Sequence, residues 1–178
     1  IIDQCGPGQG PTSVAPVMVQ AKVPFYQNGK PTLDDRYNAP HRFSVHVNFP
    51  NEVLMVITSE GRNGILVEGT QGRIFVNRGT IAGKPIEELE NNPLPGGWLD
   101  DIYGGPVVEH VNNFFDCIAS RKQPASDVWS HVASINTCHL SNIAIRLNRQ
   151  IEWDAKTQTI KGDTVANAML KRDFRKGY

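Results

Sequence analysis

The chain has 178 residues, 39% hydrophobic and 20% charged, which suits one globular domain, with or without a small appendage, able to bury a real core. Eighteen Lys and Arg balance eighteen Asp and Glu, so no basic field is available to neutralise phosphates and a nucleic-acid partner is excluded. No apolar run reaches the ~18 residues of a membrane span, and the start Ile1-Ile2-Asp3 carries neither an initiator Met nor a signal-peptide pattern.

Residues 1–12 are rich in Gly and Pro and read as a linker, with one domain expected over 13–178. Ser13 to Val23 alternates as a strand, and Pro16 points to an edge position or a late start. Gln27 to Pro31 is a turn. In His41–Phe49, Phe43, Val45, Val47 and Phe49 alternate with Arg42, Ser44, His46 and Asn48, a period of two that gives one apolar face. Val53–Ile57 is apolar throughout and reads as a central strand covered on both faces. Asn63-Gly64 is a hairpin dipeptide. Ile65–Val67 and Ile74–Val76 flank Gly69-Thr-Gln-Gly72, completing an antiparallel meander.

Residues 79–105 are irregular, with one short helical turn expected at Pro85–Leu89. Pro106 fits the first turn of a helix whose stripe is Val107, Val111, Phe114 and Ile118. Arg121 and Lys122 fall in its last turn, and Pro124 ends it. Ser126 is the expected N-cap of a second, long helix marked by Trp129, Val132, Ala133, Leu140, Ile143, Ala144 and Leu147. A strand at Gln150–Trp153, a helix at Asp163–Lys171 and a loop from Arg172 to Tyr178 close the chain. Strands first and helices afterwards predict an α+β fold, an open and predominantly antiparallel sheet with helices on one face. The other face is then left to a second subunit, making a homo-oligomer the expected state.

Several residue patterns resemble the C-terminal domain of the Gfo/Idh/MocA oxidoreductases. They are Asn113-Phe-Phe-Asp-Cys-Ile-Ala-Ser-Arg-Lys-Gln-Pro124, His139-Leu-Ser-Asn-Ile-Ala-Ile-Arg-Leu147, Gln150-Ile-Glu-Trp-Asp154 and Gly162-Asp-Thr-Val-Ala-Asn-Ala-Met-Leu170. The sheet region from Ser59 to Gly79 is also similar. The resemblance implies a substrate-side and assembly domain that works with its own N-terminal Rossmann domain, NAD or NADP, and a small sugar, polyol or related hydroxyl compound. No Gly-x-Gly-x-x-Gly follows a strand here, and the family's Glu-Lys-Pro motif has no match. Ile1-Ile2-Asp3 looks like the end of the family's Asp-x-x-x-His-x-x-Asp motif, whose His would precede residue 1. No cofactor site is therefore expected in this chain, and the isolated chain is expected to be inactive. The competing reading is a stand-alone, non-enzymatic dimerisation or carbohydrate-binding module. The compartment stays open, cytoplasmic only by default.

The substrate-pocket candidates are Asp3, from the truncated motif, and Asp127 with His131, which share a helix face at i and i+4. The plainer reading of the pair is a charged helix start. His110 and His139 adjoin apolar stripes and read as structural. His41 and His46 point to opposite sides of one strand, so no metal site is expected. Gly69-Thr-Gln-Gly72 lacks the Lys and helix of a phosphate loop and reads as a turn. Gly96-Gly97-Trp98 with Tyr103, Gly104 and Gly105 reads either as an aromatic lid or as an ordinary loop. Cys5, Cys117 and Cys138 have no metal spacing; Cys117 and Cys138 read as small buried groups.

Overall fold

A computed structural model describes residues 10–22, 26–27, 30–33, 35, 37, 39–98, 100, 105–106, 108–172 and 177. The expected Asp3, Cys5, Tyr103 and Gly104, and the stripe residue Val107, lie outside them. Two compact units form, one from Ile1–Glu60 with Asp127–Tyr178 and the other from Gly61–Ser126.

The first unit holds strands β1 (Ser13–Gln20), β2 (Tyr26–Gln27), β3 (Lys30–Pro31), β4 (Arg42–Asn48) and β5 (Leu54–Thr58). The second holds β6 (Ile65–Gly69), β7 (Gly72–Val76), β8 (Ile81–Ala82), helix α1 (Lys84–Glu87) with a 3-10 turn Glu88–Glu90, and α2 (His110–Ser120). The chain then returns to the first unit with α3 (Val128–Leu147), β9 (Ile151–Asp154), β10 (Thr159–Ile160) and α4 (Thr164–Ala168). All described pairings are antiparallel. The fold class is α+β.

The main sheet runs β10-β9-β1-β4-β5. Register explains its two faces. Val45 pairs with Ile57 and Val47 with Met55, so these share the face on which the core forms. There they meet Val14, Ile151, Trp153 and Ile160 together with Leu140, Ile143, Ala144 and Ile145 from the C-terminal half of α3. The alternation read in His41–Phe49 thus becomes β4, with Val45, Val47 and Phe49 buried.

Several expectations need correction. Val53–Ile57 is not a central strand covered on both faces: β5 is the sheet edge, and Leu54 and Val56 are about half exposed. A continuous apolar run fits a doubly covered strand, but here alternate residues open away from the core. β1 is interior rather than an edge, yet β9 reaches only Ser13 and Val14. Pro16 falls beyond that pairing, beside a register irregularity, where its missing N–H is tolerated. Asn63-Gly64 does not close a β5–β6 hairpin, because those strands belong to different sheets. The hairpin that does form is β6–β7, around Thr70 and Gln71.

The second unit is built on the sheet β6-β7-β8. Gly83 caps α1 with φ +137°, and a Cβ there would stand 2.2 Å from the Arg73 carbonyl oxygen, so only glycine fits. Pro85 sits in the first turn of α1, as its fixed φ favours. Pro106 does not open α2, whose N-cap is Glu109. Arg121 is not in the last turn either; it is the left-handed C-cap at φ 58°. No residue of α2 is buried, so its apolar stripe is open along Val111, Phe114 and Ile118. Cys117 is accordingly only half-buried, and Cys138 lies exposed on the outer side of α3; neither fills a core.

Candidate functional site

The candidates that fall within the described residues gather at the start of α3. Asp127, not Ser126, is the N-cap of that helix. With φ −81° and ψ 159°, it turns its side chain back over the first turn. Its Oδ1 accepts from the Trp129 N–H at 2.8 Å and the Ser130 N–H at 3.2 Å. Ser130 Oγ donates to the Asp127 carbonyl at 3.0 Å, and the His131 N–H closes the first helical bond to the same carbonyl at 3.2 Å. The sequence spacing is therefore realised: Asp127 and His131 occupy one turn, with the His131 side chain exposed. Both Ser126 and Asp127 are good caps, and sequence alone could not choose between neighbours; backbone direction entering the helix decides.

Two other histidines depart from the expectation of structural roles. His110 and His139 are exposed and are not packed into a core. His41 is exposed and His46 half-buried on β4. Among the described residues, no three His, Cys, Asp or Glu side chains stand close enough to share a metal ion. Gly96, Gly97 and Gly105 are described, with Gly97 at φ +80° and Trp98 partly exposed, but Tyr103 and Gly104 of the expected lid lie outside the described residues.

A feature not legible as a site in the sequence is a hollow of about 270 Å3 on α2, lined by His110, Val111, Asn113, Phe114, Phe115, Pro124 and Ser126. Phe114 and Phe115 meet edge to face with centroids 5.5 Å apart. Asn113 Oδ1 accepts from the Ala125 N–H at 3.0 Å and holds the following loop against the helix. The apolar stripe was readable, but Phe115 and Asn113 lie off it, so the hollow had no periodic signature.

The sequence model for the oxidoreductase family C-terminal alpha/beta domain, of the Gfo/Idh/MocA type, matches residues 37–178. The chain belongs to the Gfo/Idh/MocA oxidoreductase family. It supplies the C-terminal domain of that family, and the match begins after β1, β2 and β3, at residue 37. No curated protein and no solved structure matches the chain significantly. Gfo/Idh/MocA enzymes work with a nicotinamide dinucleotide, which needs a glycine-rich turn between a parallel strand and a long helix. The described residues do not fit it. Their strands pair antiparallel, and α1, the helix that follows a strand through Gly83, has four residues. Gly83 is accounted for by its approach to Arg73.

Proposed function

We propose that this domain forms the substrate side of an NAD(P)-dependent oxidoreductase that acts on a sugar, polyol or related hydroxyl compound. The dinucleotide would be held by a Rossmann domain of the same protein. The observation that carries this reading is the family match over residues 37–178. The bound nicotinamide would accept or deliver the hydride; this chain would contribute substrate contacts and exclusion of water. Asp127 and His131 are the proposed cleft residues, because they share one turn at the start of α3 and can offer polar atoms to a hydroxyl group.

We also infer a homo-oligomer assembled through the outer face of the main sheet. Register puts Leu54, Val56 and Thr58 on that face, opposite Asn48, His46 and Ser44. Leu54 and Val56 leave about half their surface open, more than a face meant only for water needs.

Calorimetric titration of the isolated chain with NAD+ and NADH checks the reading directly. Heats no larger than dilution are expected; saturable binding in the micromolar range would sink it. The protein carrying a Rossmann domain ahead of this one should bind the dinucleotide and reduce it in the presence of a sugar or polyol.

A further inference from the structure

His46 stands on the face assigned above to self-association, and register places it at the centre of that face. Its neighbours across the strands are Ala15 of β1 and Val56 of β5. The rows on either side hold Ser13, Asn48 and Leu54, and Met18, Ser44 and Thr58. Leu54, Val56 and Val17, the residue at the β1 irregularity, are 51%, 48% and 60% exposed, so the imidazole sits within open apolar surface. The polar groups of these rows are neutral, and two are already used within the chain. Asn48 Nδ2 donates to Ser13 Oγ at 3.0 Å, and Thr58 Oγ1 donates to the Phe43 carbonyl at 3.2 Å.

Charged groups stand further off. Arg42 lies four residues, roughly 13 Å, along β4. Its guanidinium donates to both oxygens of Glu60, at 2.7 and 2.9 Å. Glu152 and Asp154 are on β9, two strands away, and Glu52 is in the turn between β4 and β5. Among the described residues, no carboxylate faces His46 from β1, β4 or β5. The same charge pattern favours a second copy as the occupant. Arg42 is neutralised by Glu60 and the chain carries no net charge, so two identical faces meet without a like-charge field between them.

We infer that His46 makes this self-association pH-dependent: the neutral imidazole permits it and protonation opposes it. This rests on the reading of the outer face as the assembly surface. A closed dimer uses the same patch on both subunits, so it covers two copies of His46. Covering strips water from the ring. A neutral imidazole can still donate from one nitrogen and accept at the other. An imidazolium would keep its charge between Ala15 and Val56 with no anion at hand, and a charge covered without a partner is costly. Histidine is the side chain whose ordinary charge change falls between about pH 5 and 8. The separate chains then bind more protons than the dimer, so association weakens as pH falls.

Sedimentation velocity of the full chain at about pH 7.5 and about pH 5.5, at one ionic strength, tests this, with thermal melting of every variant. The parent's dissociation constant should rise at least about tenfold at the lower pH. His46→Gln, which cannot charge, should associate equally at both. His46→Arg, charged throughout, should be monomeric at both. A variant with His41, His110, His131 and His139 all replaced by Gln should respond as the parent does. Equal constants for the parent at both pH values overturn the switch and leave the interface standing. So does a response that survives His46→Gln, or one that disappears in the variant keeping only His46. Should His46→Gln fail to fold, that last variant decides. A parent that is monomeric at both pH values overturns the interface itself, and the switch with it.

Discussion

Asp163 combines an ion pair with a helix cap. Its carboxylate takes the guanidinium of Arg149 through both oxygens, with Nη2 to Oδ2 at 2.6 Å and to Oδ1 at 2.8 Å. The same group caps α4 by accepting from the Ala166 N–H at 2.9 Å. Burial pushes this carboxyl up, but the Ala166 N–H and the hydrogen bonds and charge of Arg149 outweigh it and hold the carboxyl below its ordinary 3.8. The stabilisation is then complete above that ordinary value and is lost as pH falls through the lower folded value. Asp163→Ala removes cap and ion pair together and should cost about 2 kcal/mol in urea unfolding. Asp163→Asn keeps the cap and should cost less. The gap between parent and Asp163→Asn should close on acidification below about pH 4; a gap independent of pH would show that charge is not involved. At this scale the sequence is only half informative. Asp163 reads in the sequence as the first residue of a helix to Lys171, whereas it caps a helix that runs only from Thr164 to Ala168, and its partner Arg149 comes from the turn after α3, which no local pattern announces.

Among elements, α3 is the one whose two halves behave differently. Its last ten residues carry Leu140, Ile143, Ala144 and Ile145 into the core, while Trp129, Val132 and Ile135 in the first half are 74%, 39% and 49% exposed. Leu140→Ala should therefore cost about 3 kcal/mol, through lost burial and the cavity left behind. Ile135→Ala should cost under about 1 kcal/mol. Chemical denaturation of the two variants checks this, and equal losses would mean that the first half is covered as the second is. The apolar spacing of α3 was legible from end to end, because 3.6-residue periodicity records which side is apolar. It does not record where along the helix the covering element stops. The same limit explains β5. Its composition was legible as a strand, but edge or centre depends on which strand lies beyond it, and β6 pairs elsewhere. β4 was read correctly because its alternation is itself the record of one buried face. β8 and β10 went unread because two residues carry no period.

For the whole molecule, the family and the α+β class were legible, and the division into two units was not. The open outer face of the main sheet predicts self-association, and Val56→Lys, which places a charge in the middle of β5, should return the chain to a monomer by light scattering. A parent that already scatters as a monomer at high concentration would rule out that interface for this chain. The sheet order has another consequence, one of timing. β9 lies beside β1, and α3 covers both β1 and β4, so the first unit joins residues near the two ends of the chain around the insert Gly61–Ser126. During synthesis β1, β4 and β5 emerge long before the helix that covers them, while the 61–126 unit is completed in between. The apolar faces of Val14, Val45 and Val47 must wait for Leu140 and Trp153, and that interval is when the nascent chain is most open to aggregation.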